Sequence, residues 1–183
     1  MITRSTPRAA LALIAMSLVL AGCHSPSRGG RPGPLGTESP SPSPDKQGVT
    51  KRDALAAYTG MWNAFAQAGQ VPDPDAPDLR RYATGDALKR IVGVLVVYRD
   101  QGVVTQGGPV DDPSVTSAVP ADAPTEVDVV DCGDSTNWTK HKKATGELIQ
   151  NDPRGRRHIT AVVKLTDGLW KVNTFDVGDI GSC

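Results

Sequence analysis

This sequence is poor in the residues that metal centres and histidine-based catalysis require: three histidines and three cysteines in 183 residues. His24, His141 and His158 stand far apart, and no Cys-x-x-Cys or His-x-x-x-His spacing occurs. No metal set, no cofactor and no assembled group of catalytic residues is therefore expected. An excess of charge of one sign is also missing, since Lys plus Arg and Asp plus Glu both number 20. Without Arg4 and Arg8 the remainder is two charges acid, which excludes general nucleic-acid binding. Long hydrophobic runs are absent as well. The most apolar stretch, residues 9–20, falls short of the roughly 20 residues a bilayer-crossing helix needs.

What that short stretch does fit is an export signal. Arg4 and Arg8 form a basic start, the apolar run follows, and Leu20-Ala21-Gly22-Cys23 closes it, in the three-part order of a signal peptide. The tetrapeptide resembles the bacterial lipobox, which implies that residues 1–23 are a lipoprotein signal and that Cys23 receives a diacylglycerol anchor. The expected location is the extracytoplasmic face of the cell membrane, with the membrane as partner through that lipid. Export also places the other two cysteines, Cys132 and Cys183, in an oxidising compartment as an even pair, so a disulfide between them is expected.

Residues 24–49 are rich in Ser, Gly and Pro and include Ser39-Pro40-Ser41-Pro42-Ser43-Pro44. With no aromatic ring to seed a core, this composition predicts a disordered, partly extended tether. Residues 50–183 are enough for one domain.

Within that domain the periodicity changes once. Leu55, Tyr58, Trp62 and Phe65 recur at helical spacing in residues 50–68, residues 78–82 suit a short helix, and Leu88, Ile91, Val92, Leu95 and Tyr98 mark residues 86–101. The last run is rich in β-branched residues, which favour strands, yet its spacing is helical and it is read as helix ending near Gly102. Beyond Gly102 the period falls to two. Strands are predicted over 103–106, 114–119, 126–132, 137–143, 157–165 and 169–177, with Asp167-Gly168 as a tight hairpin turn. Ile159, Ala161, Val163 and Leu165 should face the core, and Trp170, Val172 and Thr174 should share one face of the last strand. Helices first and a meandering antiparallel sheet afterwards predict an α+β fold.

Four segments carry a family likeness: Asp131-Cys132-Gly133-Asp134-Ser135-Thr136-Asn137-Trp138, Ala144-Thr145-Gly146, Asp167-Gly168-Leu169-Trp170-Lys171-Val172 and Gly181-Ser182-Cys183. In this order they resemble a group of secreted actinobacterial lipoproteins similar to the nuclear transport factor 2-like superfamily. The resemblance implies a cone-shaped roll of N-terminal helices on a curved antiparallel sheet, with a pocket between them. That superfamily holds both enzymes and binding modules, so the fold by itself assigns no chemistry.

Candidate pocket residues are Asp131, Tyr58, Trp62 and Trp170, with Asp131 the best placed acid; Asp131 and Asp134 equally suit the role of satisfying backbone donors in the turn after their strand. Lys140, Lys142 and Lys143, together with Arg154, Arg156 and Arg157, bracket one hairpin and form a candidate anion patch, or simply a soluble hairpin tip. The expected function is a lipid-anchored module that binds a hydrophobic small ligand or an envelope protein, the alternative being an isomerase- or dehydratase-type enzyme using a pocket carboxylate.

Overall fold

Asp45 starts the first helix, its carboxylate accepting the Gly48 N–H at 3.0 Å, and α1 then runs over Lys46–Gln70. Residues 45–183 are those described by the computed structural model; the expected lipobox with Cys23 and residues 24–44 of the expected tether lie outside them. The helix takes in residues 46–49, which the sequence reading assigned to the tether, because Asp45 provides an N-cap ahead of them. The buried face of α1 is also broader than the expected stripe. Met61 is fully buried beside Tyr58, and Ala54, Ala57, Ala64 and Ala68 bring the helix backbone close to the sheet, while Leu55 sits at the margin.

α2 (Pro77–Tyr82) opens with proline in its first turn, where no N–H is required. α3 (Gly85–Gln101) keeps its β-branched residues helical, since Ile91 and Leu95, four apart, are both buried. Gly102, at φ 63°, closes α3 with a left-handed cap.

Six strands follow: β1 (Val103–Gln106), β2 (Ser114–Val119), β3 (Glu126–Asp134), β4 (Thr139–Lys142), β5 (Arg156–Thr166) and β6 (Leu169–Val177). The α+β class is observed, but the single meander is corrected. β2-β3-β5-β6 form one antiparallel sheet, and β4 leaves that order to pair with β1 in a separate two-stranded sheet. Gly107 permits this departure, because a Cβ there would lie 2.1 Å from the Asn137 carbonyl oxygen.

Asp167 and Gly168 both have positive φ, 52° and 76°, as a type I′ hairpin between β5 and β6 requires. The face expected for β6 is corrected by a bulge. Val162 pairs with Thr174 and Val163 with Val172, leaving Asn173 as the extra residue, so Phe175 rather than Thr174 shares the buried face with Val172. Leu165 is likewise corrected: it sits opposite Trp170 near the hairpin turn, 41% exposed. The core lies between α1, α2 and α3 on one side and the inner residues of β3, β5 and β6 on the other: Val127 and Val129, Ile159, Ala161 and Val163, Val172 and Phe175.

On the opposite face of β3, Cys132 is joined to Cys183, with their Cα atoms 6.0 Å apart. The C-terminal tail lies along β5, where Gly181 N–H donates to the Arg156 carbonyl and the Ser182 hydroxyl accepts from His158 N–H, each at 2.8 Å.

Candidate functional site

The inward alternation of the large sheet does not stop at the core. Beyond Val163, Ala161 and Ile159, β5 continues to Arg157; beyond Val129 and Asp131, β3 continues to Gly133; beyond Phe175, β6 continues to Val177. Opposite these ends, α1 presents Trp62 and Phe65, and α3 presents Arg90, Ile91, Val94 and Tyr98. A cavity of about 420 Å³ separates the two layers, within the ~300–1,000 Å³ usual for small-molecule sites. Thr105 of β1, Trp138, Lys140 of β4 and the segment 152–154 close its sides.

Four rings on the apolar wall contact one another. Trp62 is central, with Phe175 at 5.1 Å and Trp138 at 6.3 Å between ring centroids, and Phe65 lies 5.1 Å from Trp138. These edge-to-face contacts fix the rings against one another.

Of the charged groups on the wall, four are cationic and one, Asp152, is anionic. Arg90 lies 4.9 Å from the centroid of the Phe175 ring and donates to the Phe175 carbonyl at 3.1 Å. Lys140 is bonded to Asp152, and its ammonium lies 5.6 Å from the centroid of the Tyr98 ring. Burial alone would lower the Lys140 pKa, but the bond to Asp152 and the neighbouring Tyr98 oxygen outweigh it and hold the pKa above the ordinary lysine value. Burial raises the Tyr98 phenol, keeping it neutral. Arg157 donates to the carbonyls of Gly178 at 3.0 Å and Pro153 at 3.2 Å. Arg154 is half-buried and has neither a carboxylate nor a side-chain hydrogen bond among the described residues.

A second polar cluster lies behind this wall. Asp131, 4% exposed, accepts the Tyr58 hydroxyl at 2.9 Å and the Asp112 N–H at 2.8 Å. One oxygen of the neighbouring Asp111 is buried without a hydrogen-bond partner. Burial first, and then the charge of Asp131, push the Asp111 carboxyl up to about 7. Burial, reinforced by Asp131, also drives the Tyr58 hydroxyl far above its ordinary value. Gly133 stands between this cluster and the cavity: a Cβ on it would lie 2.8 Å from Ile159 Cδ1 and 3.3 Å from Asp131 Oδ2.

Of the four expected pocket residues, Trp62 alone lines the cavity. Tyr58 and Asp131 are corrected to positions behind it, because Gly133 and Ile159 occupy the wall in front. Trp170 is corrected to the far end of the sheet, half-buried at the β5–β6 hairpin. Asp134 does serve a turn, accepting the Thr136 N–H at 2.8 Å. The anion patch divides. Lys140, Arg154 and Arg157 meet at the cavity; Lys142 pairs with Glu147, Lys143 is exposed, and Arg156 lies on the outer face, donating to Cys132 Sγ at 3.1 and 3.2 Å.

The reading from sequence missed Arg90, Trp138, Phe175 and Asp111. For Arg157 a signal was present, since it shares parity with Ile159 and Ala161. For Trp138 and Asp111, which lie in loops, none was. Among the described residues no group of three or more His, Cys, Asp or Glu is placed to hold a metal ion, and no helix is long and apolar enough to cross a membrane.

No family model matches this chain, and no curated protein does. Among solved structures, the intermembrane space region of the chloroplast protein ARC6 is similar at 16% identity and a TM-score of 0.47, over 70% of this chain and 95% of that one.

Proposed function

We propose that this protein is a lipid-anchored extracytoplasmic module that takes a hydrophobic or amphipathic small ligand into the cavity over Trp62. The observation that carries the reading is the cavity itself, about 420 Å³ walled by Trp62, Phe65, Trp138 and Phe175. A concave wall of this size and composition can take most of a small apolar ligand's surface out of water. Helices laid over an antiparallel sheet with a pocket between them support the finer reading as a nuclear transport factor 2-like roll. The lipobox at Cys23 and the four resembling segments support the reading as a lipoprotein of that secreted group.

Two of the three tryptophans line the cavity, so ligand entry is read directly from their emission. Titrating the full chain with single-chain amphiphiles below their aggregation threshold should shift tryptophan emission and raise the melting temperature by several degrees at saturation. Emission and melting temperature unmoved across neutral, anionic and cationic chains would reject the reading.

The anchor is tested separately. Cys23→Ala removes the thiol that would accept the diacylglycerol, so metabolic labelling with a fatty acid should lose its signal completely. Retained label on that variant would refute lipid attachment at Cys23.

A further inference from the structure

Resting on the binding reading above, we infer that the cavity selects amphiphiles with an oxyanion head, carboxylate or phosphate, seated at Arg154 and Arg157, with the chain lying against Trp62 and Phe175. Four cations reach the cavity wall, Arg90, Lys140, Arg154 and Arg157, against one carboxylate, Asp152. That carboxylate is already committed to Lys140, so among the described residues no acid on the wall offsets the arginines.

The arginines differ in what they have left to give. Arg157 spends one N–H on Gly178 and one on Pro153, which fixes its plane and leaves further donors of its fork unused. Arg154, half-buried and without a partner among the described residues, has its whole fork free to pair. Arg90 is directed elsewhere, toward the Phe175 carbonyl and the Phe175 ring.

Among the described residues, the buried polar atoms Trp62 Nε1, Thr105 Oγ1 and Trp138 Nε1 make no hydrogen bond and have almost no accessible surface, so the arginines are what meets the head. A cationic head would be repelled by them, and a neutral hydroxyl would accept a hydrogen bond without the charge pairing.

The experiment holds the chain constant and changes the head: decanoate, decyl phosphate, decanol and decyltrimethylammonium, with acetate and inorganic phosphate as chain-free controls, titrated into the full protein by tryptophan emission and calorimetry. Decanoate and decyl phosphate should bind about tenfold or more tightly than decanol, and their advantage should shrink as salt rises. Arg154→Gln should bring both anions to the decanol level while leaving decanol unchanged, and Arg154→Lys should restore part of the preference. Arg154 makes no hydrogen bond or ion pair among the described residues, and the ligand-free melting temperature of each variant checks that the fold is kept. Decanol binding as tightly as decanoate would overturn the oxyanion assignment and leave the binding reading standing. Inorganic phosphate binding as tightly as decyl phosphate would overturn the amphiphile and leave a simple anion site. No binding by any chain would reject both.

Discussion

Reducing the Cys132–Cys183 bond should lower the melting temperature by about 10 °C or more. The bond closes a loop with a sequence separation of 51, for which the chain-entropy model gives roughly 4 kcal/mol at 25 °C, less any strain in the folded state. That is a large share of the ~5–15 kcal/mol by which a domain is stable. For a domain of this size each kcal/mol corresponds to about 3 °C. The cost would reach the cavity as well. The tail that ends at Cys183 is held to β5 through Gly181 and Ser182. The same stretch contains Gly178, whose carbonyl orients the Arg157 guanidinium at 3.0 Å. Loosening the tail should therefore weaken anionic amphiphiles more than neutral ones. Scanning calorimetry of oxidised protein, reduced protein and Cys183→Ser decides the matter. Reduced protein and variant should coincide, both well below the oxidised form, and a difference of less than about 2 °C would show that the bond constrains little.

How legible this protein was in its sequence follows from how local each signal is. Helices and strands were readable because their determinants lie within a few residues of one another: the i, i+4 pair Ile91 and Leu95, the Asp167-Gly168 turn, the alternation of Ile159, Ala161 and Val163. The long α1 was placed by the same logic, and its start at Lys46 was missed because one capping carboxylate, Asp45, outweighs the polar composition around it. What parity predicts, a single bulge undoes. Asn173 inserts one residue into β6 and exchanges Thr174 for Phe175 on the buried face, and nothing within the strand's own sequence announces this.

The site was less legible because it is built across elements. Arg90, Trp138 and Arg157 come from α3, from the loop before β4 and from β5, and only the tertiary fold places them around one space. The anion patch shows the same limit in reverse. Lys140, Lys142, Arg156 and Arg157 are close in sequence, yet strand alternation sends Arg156 and Arg157 to opposite faces. Asp131 was singled out as an inward acid, which it is. It lies behind the wall because Gly133 and Ile159, also inward, occupy the position in front. The acid most altered by its surroundings is the loop residue Asp111, through burial first and then through Asp131 being its neighbour.

That neighbour relation gives the second large effect: the protein should be more stable near pH 5 than near pH 8. Burial and the charge of Asp131 raise the Asp111 carboxyl from 3.8 to about 7, so the folded chain holds a proton that the unfolded chain releases. A raised carboxyl contributes stability that is complete below the unfolded value and disappears as pH rises through the folded one. The window lies between about 4 and about 7. Because Asp111 is only partly buried, the full shift is discounted, and the change from pH 5 to pH 8 should be about 1–2 kcal/mol. Above the window Asp111 is charged beside Asp131, whose own two bonds are already taken by the Tyr58 hydroxyl and the Asp112 N–H, so the repulsion falls on the loop that carries Asp111. Pro109 of that loop lines the cavity, and ligand affinity should fall together with stability. Asp111→Asn keeps the shape and removes the ionisation. It should flatten the stability curve between pH 5 and pH 8 and gain about 1–2 kcal/mol over wild type at pH 8. Urea unfolding at both pH values, for both proteins, measures the difference directly, and equal slopes in the two curves would mean that Asp111 gives up its proton in the folded chain as easily as in the unfolded one.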